Sequence, residues 1–241
     1  LGGDGTCHEV VNGFFDPVSR TAIAPEAIFA FVRSGTGGDL ARTFEQLDAP
    51  EAQLSRIATS DARPIDLISC AWTQDGGGWE ISVNIASVGQ GGDVCRRVDA
   101  RRKLFGGALP FAVATLESLV ATRPWTVELC FDDGPAEVHT VRNVVAANGR
   151  YHGGGMHIAP MALPDDGMLD VVLIGDLSRL QSMMMGPKLY RGSAHRQAGN
   201  SHRRCTKLTV TPRGGAAPML LEMDGEVRGT APLTFELLPE A

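Results

Sequence analysis

The chain has 241 residues, of which 43% are hydrophobic and 21% charged, with a formal net charge of −6. That is enough apolar material for one large or two modest cores and excludes a disordered tail. The acidic balance excludes a general nucleic-acid binder, whose affinity would rest on Lys and Arg meeting phosphates.

The opening stretch, LGGDGTCHEVVNGFFD, places glycines on both sides of Asp4. A Gly-rich turn entering a helix presents unpaired N–H groups that suit phosphate, and Val10, Val11 and Phe14 give the following segment one apolar helical face. The backbone amides and the Thr6 hydroxyl suit nucleotide phosphates, and Asp4 suits Mg²⁺ or a nucleophile; the simpler alternative is a tight turn. AIFAFV at 27–32 reads as a buried strand running into a second glycine turn, SGTGG, with Asp39 opening another helix. Two strand–loop–helix units predict an α/β layer over residues 1–60, with both loops at the carboxyl ends of strands. Neither GxxxxGK[ST] nor GxGxxG occurs in the chain.

From residue 61 the pattern changes to short alternating stretches separated by Gly, Pro and Asp turns, which predicts a β-rich domain over 61–241. The strands are IDLISCAWT, GWEISVNIASV, TVELCFDD, EVHTVRNVVAAN, LDVVLIGD, KLTVTP, PMLLEMDGE and LTFELLP. Helices are expected at 108–122 and 177–190, the second carrying a Met183–Met185 run of core character. The five cysteines have no CxxC spacing, which argues against both a zinc site and a disulfide framework and for a reducing, cytoplasmic setting. The apolar run at 108–121 contains Glu117 and is too short to cross a bilayer.

Two turns carry oxygen ligands or acid–base groups. Leu163-Pro164-Asp165-Asp166-Gly167-Met168 offers a carboxylate with backbone carbonyls, the hard donors Mg²⁺ prefers, although an Asx turn has the same sequence. In MDGEVRG, Asp224 and Glu226 bracket a glycine. Alternation sends both carboxylates to one side, where one could hold water or metal and the other take a proton; the alternative is a solvated hairpin rim. His152 and His157 read as hydrogen-bonded structure.

Taken in order, these segments resemble the bacterial diacylglycerol-kinase-like lipid kinases, a family that includes sphingosine and ceramide kinases. GGDGTCHEVVNG resembles its GGDGTxxEVxNG signature and SGTGGDLAR its GTxNDxAR, while GGGMHIAPMALPDDGMLDVV followed by DGE resembles its C-terminal hallmarks. The resemblance implies a phosphofructokinase-like α/β nucleotide domain, here partial, followed by a β-sandwich-rich lipid domain, with ATP in the cleft. It implies that Gly3, Asp4, Gly5, Thr6, Cys7, His8, Glu9 and Thr36 face ATP, and that Glu226 accepts the proton of a lipid hydroxyl beside Asp224. Asp4 is the alternative base, and the Leu163 and Met168 carbonyls with the Asp166 carboxylate would hold a structural Mg²⁺.

The expected reaction is ATP- and Mg²⁺-dependent phosphorylation of diacylglycerol or a related lipid. The alternatives are an NAD-kinase-like enzyme, which also carries GGDGT, and a catalytically silent lipid-binding module. The basic runs at 95–103 and 188–207 would serve peripheral docking on anionic membrane headgroups. Exposed strands in the β-rich part would permit a homodimer.

Overall fold

The computed structural model describes residues 1–34, 38–102, 118, 123–214 and 217–240. Three helices occupy the N-terminal part: α1 (Asp4–Asn12), α2 (Asp39–Thr43) and α3 (Pro50–Thr59). The run at 27–32 does not form the expected strand. Its neighbourhood holds one parallel bridge, Gly2 with Arg33, made by the Gly2 amide on the Val32 carbonyl at 3.2 Å and the Ser34 amide on the Gly2 carbonyl at 2.7 Å. One bridge is too little for a ladder, and Ile28 is left 75% exposed. The bridge nonetheless sets Arg33 and Ser34 beside the first glycine turn.

Among the described residues, eleven strands form one connected antiparallel sheet, in the order β12-β11-β3-β5-β4-β10-β13-β1-β2, with β8 branching from β5 and β9 pairing β8. They are β1 (Leu67–Trp72), β2 (Gly78–Ser82), β3 (Ile85–Gly89), β4 (Trp125–Phe131), β5 (Glu137–Ala147), β8 (Leu169–Gly175), β9 (Ser201–Cys205), β10 (Lys207–Pro212), β11 (Leu220–Met223), β12 (Glu226–Thr230) and β13 (Leu233–Leu238). A two-residue hairpin, β6 (Tyr151–His152) and β7 (Met156–His157), stands apart. Helix α4 (Gln90–Arg102) follows β3, and α5 (Arg179–Tyr190) begins on a Ser178 capping box completed by Gln181.

The longest strand, β5, divides the sheet. Residues 137–141 pair β4 and residues 143–147 pair β3, with a register shift opposite β8 between Val141 and Asn143. Side chains alternate across it as a pleated strand requires. Val144 and Ala146, with Leu169, Val171 and Leu173 of β8, face the main core, while Val145, Ala147, Val172 and Ile174 face a second core shared with Met185 and Leu189 of α5. A third cluster seats α1 and α2 on the sheet through Cys7, Val11 and Leu40 against Leu67, Ile81 and Val83. The expected stretch at 78–88 splits into β2 and β3, and the expected helix at 108–122 lies outside the described residues apart from helical Ser118.

Candidate active site

Helix α1 begins at Gly3, which provides no side-chain cap, so its first-turn N–H groups keep the donor character that suits anions. Asp4 turns the other way. Its carboxylate accepts from the backbone amides of Gly38 and Asp39 at 2.8 and 3.1 Å and of Leu40 at 3.2 Å, capping α2 from the neighbouring loop. Thr6 is exposed and its side chain leans on Gly2, where a Cβ would meet it at 2.5 Å. Thr36 lies outside the described residues.

Cys7 and His8 point inward. The Cys7 thiol is packed in the third core, and burial, reinforced by Asp224 and Asp4, pushes it up to about 12, so it stays a protonated core group. His8, 1% exposed, donates from Nδ1 to Asp224 at 2.9 Å and from Nε2 to Glu80 at 3.3 Å. Burial alone would lower its basicity. The two carboxylates outweigh that and raise it to about 9, so the imidazole is charged at neutral pH.

Asp224 and Gly225 form the tip of the β11–β12 hairpin with φ of 48° and 96°, the two left-handed residues of an Asp-Gly turn. The buried Asp224 carboxylate collects five donors: His8, the Ser82 hydroxyl at 2.7 Å, and the backbone amides of Val83, Asn84 and Ile85 at 2.9, 3.0 and 3.2 Å. Burial would raise it, but the His8 bond and charge, with Ser82 and Val83, hold it below the usual carboxylate range. It is thus an anchor between the two parts of the chain.

Glu226 is the carboxylate left facing outward, 47% exposed, with Oε1 only 3.1 Å from where a Cβ on Gly5 would stand. The base candidate therefore overhangs the uncapped end of α1. Arg228 holds it from behind at 3.0 Å and also pairs Glu9 at 2.6 Å and Glu80 at 3.1 Å. His8, Glu9, Asn12, Trp79, Glu80 and Arg228 line a cleft of about 260 Å³ on this flank.

The residues of the expected structural metal site come together in one segment, where Asp166 has protein partners. Leu163, Asp166 and Met168 share one turn, yet Asp166 accepts the Met168 amide at 3.2 Å and its other oxygen binds the Arg204 guanidinium. Asp66 fastens the same turn by accepting the Gly167 amide at 2.8 Å. The described residues contain no group of three or more His, Cys, Asp or Glu side chains placed to hold a metal. Asp166 makes an Asx turn here, with Arg204 as its counter-charge.

Asn12 and Asp39 were legible only as motif letters, and their partners come from the fold. Asn12, on α1, brackets the Ile81 backbone by donating to its carbonyl and accepting from its amide, both at 2.8 Å. Asp39 accepts the Gly154 amide at 2.7 Å, joining α2 to the β6–β7 hairpin. Arg228, Glu80 and Ser82 come from strands whose alternation marks only a face. Much of the basic run at 188–207 is internally neutralised, Arg203 by Glu137, Arg204 by Asp166 and Lys207 by Asp133. No helix among the described residues is long and apolar enough to cross a membrane.

Comparison with known proteins agrees with this layout. Residues 1–70 match the diacylglycerol kinase catalytic domain and residues 84–241 the YegS C-terminal NAD kinase beta sandwich-like domain. The chain is 27% identical over 238 residues to "Probable lipid kinase YegS-like" of Stenotrophomonas maltophilia (strain K279a), covering 99% of this chain and 74% of that one. It is 26% identical over 238 residues to "Diacylglycerol kinase" of Bacillus subtilis (strain 168), covering 97% and 72%. A crystal structure of a diacylglycerol kinase from Bacillus anthracis str. Sterne superposes with TM-score 0.64 at 20% identity, over 99% of this chain and 71% of that chain. Another structure from that organism gives TM-score 0.73 at 20% identity.

Proposed function

The chain belongs to the family of YegS-type lipid kinases related to diacylglycerol kinases, and on that premise we propose that it phosphorylates the hydroxyl of diacylglycerol or a related lipid with ATP and Mg²⁺. ATP enters as its Mg²⁺ complex, the metal supplying charge neutralisation on the phosphates. Gly3, Gly5 and the amides of the α1 first turn take the phosphates by helix-terminus anion binding. Glu226 removes the proton from the lipid hydroxyl, whose oxygen bonds to the γ-phosphorus as the bond to the β–γ bridging oxygen breaks and ADP departs. Asp4 ties the first glycine turn to the start of α2 through its cap on Gly38, Asp39 and Leu40, and Asp224 fixes the turn that carries Glu226. Under the same reading the N-terminal part is a portion of a phosphofructokinase-like nucleotide domain, and the lipid is met at a cytoplasmic membrane surface.

The observation that carries the reading is the Glu226 carboxylate lying 3.1 Å from the Gly5 Cβ position, at a helix end free of a side-chain cap. Asp4 is the weaker base because three backbone amides already occupy its oxygens. In Glu226→Gln, transfer of labelled γ-phosphate to diacylglycerol is expected to fall by roughly 10²–10⁴-fold with ATP binding nearly unchanged. Retained turnover would remove Glu226 from this role. Labelled NADP from a parallel incubation with NAD would overturn the lipid assignment.

A further inference from the structure

A cavity of about 70 Å³ lies between the sheet, the β6–β7 hairpin, α4 and α5. Its wall is largely apolar, with Val145, Ile174 and Met185 among its lining residues, but Gln90, Ser87 and His152 also line it. Gln90 is 6% exposed, and its Nε2 donor has no partner among the described residues. A buried amide donor without a partner, on a residue that lines an apolar space, is costly unless an acceptor meets it.

Glu222 ties this polar rim to the reacting turn. Its side chain is fully buried; Oε2 accepts the Ser87 hydroxyl at 2.8 Å with His152 Nε2 3.6 Å away, and Oε1 accepts the Gly225 amide at 2.6 Å. Burial raises the Glu222 carboxyl above the ordinary range, and the Arg-free, apolar surroundings disfavour a charged guest. A guest must therefore be mainly hydrocarbon with an uncharged acceptor near the Gln90 amide.

We propose that Gln90, with Ser87 and His152 around Glu222, forms a recognition site for an uncharged carbonyl of the lipid acceptor, selecting acyl esters or amides over ethers of the same length. This assignment rests on the lipid-kinase reading and adds a specificity determinant to it. Glu222 is then a positioning residue, because one of its oxygens serves the rim and the other the turn that bears Glu226.

The test uses the full chain and two probes that differ only at the carbonyl: 1,2-dioctanoylglycerol and its 1,2-dioctyl ether counterpart, with binding read by calorimetry and turnover read separately. The wild type is expected to bind the ester roughly tenfold more tightly, the worth of one net hydrogen bond, and Gln90→Leu to lose that preference while still binding the ether. Gln90→Met, which keeps the length without the amide, replaces the leucine variant should that one fail to fold. Equal binding of both probes by the wild type, a preference that survives in the variants, or no binding of either probe would each overturn the site. An ester preference without any phosphorylated product would leave the site standing and sink the kinase reading; product without the preference would do the reverse.

Discussion

Gly5 and Glu226 come from opposite ends of the chain, and the space between them is set by the missing side chain of the first. A Cβ on Gly5 would stand 3.1 Å from Glu226 Oε1, so alanine forces that carboxylate aside by a few tenths of an ångström. Within a helix, Gly→Ala also stabilises by about 1 kcal/mol. Gly5→Ala is therefore expected to lower kcat by about tenfold or more while Tm holds or rises, since small misplacements of reacting groups are expensive. A parallel loss of Tm and turnover would show the glycine to be structural only. At the 163–168 turn the Arg204 guanidinium occupies the Asp166 carboxylate that the sequence had offered to Mg²⁺. EDTA is expected to leave the wild-type Tm unchanged within about a degree. Arg204→Ala should cost about 0.5–1 kcal/mol, as a partly exposed pair does, and should make Mg²⁺ newly stabilising in a melting experiment. A drop in wild-type Tm with EDTA would put a metal back in the turn.

At the scale of elements, alternation announced the buried strands and failed where charge pairs replaced apolar ones. β1, β4, β8, β10 and β13 were legible because every second residue enters the main core. β9, SHRRC, is strand because His202 meets Asp170, Arg203 meets Glu137 and Arg204 meets Asp166 across neighbouring segments, none of which shows in a hydrophobic pattern. Helix α4 opens on Gln-Gly-Gly-Asp, a weak helical start whose register comes from packing Val94 and Val98 together. In the opposite direction, AIFAFV had strand composition without a strand partner beyond Gly2. Beside the His8 contacts, α1 is docked on the sheet by Asn12 on the Ile81 backbone, whose two bonds leave two buried polar groups unpaired if the amide is removed. Asn12→Ala should cost about 2–3 kcal/mol in urea unfolding with a larger proportional loss of turnover, because α1 carries the phosphate end. An unfolding midpoint equal to wild type would show that the apolar contacts of Cys7 and Val11 suffice.

Over the whole molecule, the glycine loops and the Asp-Gly-Glu turn were legible as motifs, whereas the contacts between them were not. His8 and Asp224 are separated by 216 positions, and a spacing of that length carries no periodicity to read. Glu222, Ser82 and Arg228 likewise look like ordinary strand residues until the sheet brings them together. The His8–Asp224 contact is also the place where the two parts of the chain share charge, which gives stability a defined dependence on pH. His8 is raised from 6.5 to about 9 on folding, so its contribution is complete below pH 6.5 and is lost as pH rises through 9. Asp224 is depressed from 3.8, so its contribution is present above that value and disappears as pH falls through the lower folded one. Folding free energy from urea titrations should therefore be flat from about pH 5 to 6.5 and fall by on the order of 1–3 kcal/mol by pH 9.5. In His8→Asn the alkaline fall should flatten, because the neutral amide has no proton to lose, at the cost of lower stability near pH 6. If wild type and variant lose stability in parallel above pH 6.5, the imidazolium does not hold the helix to the hairpin, and Asp224 is anchored by Ser82 and the three backbone amides alone.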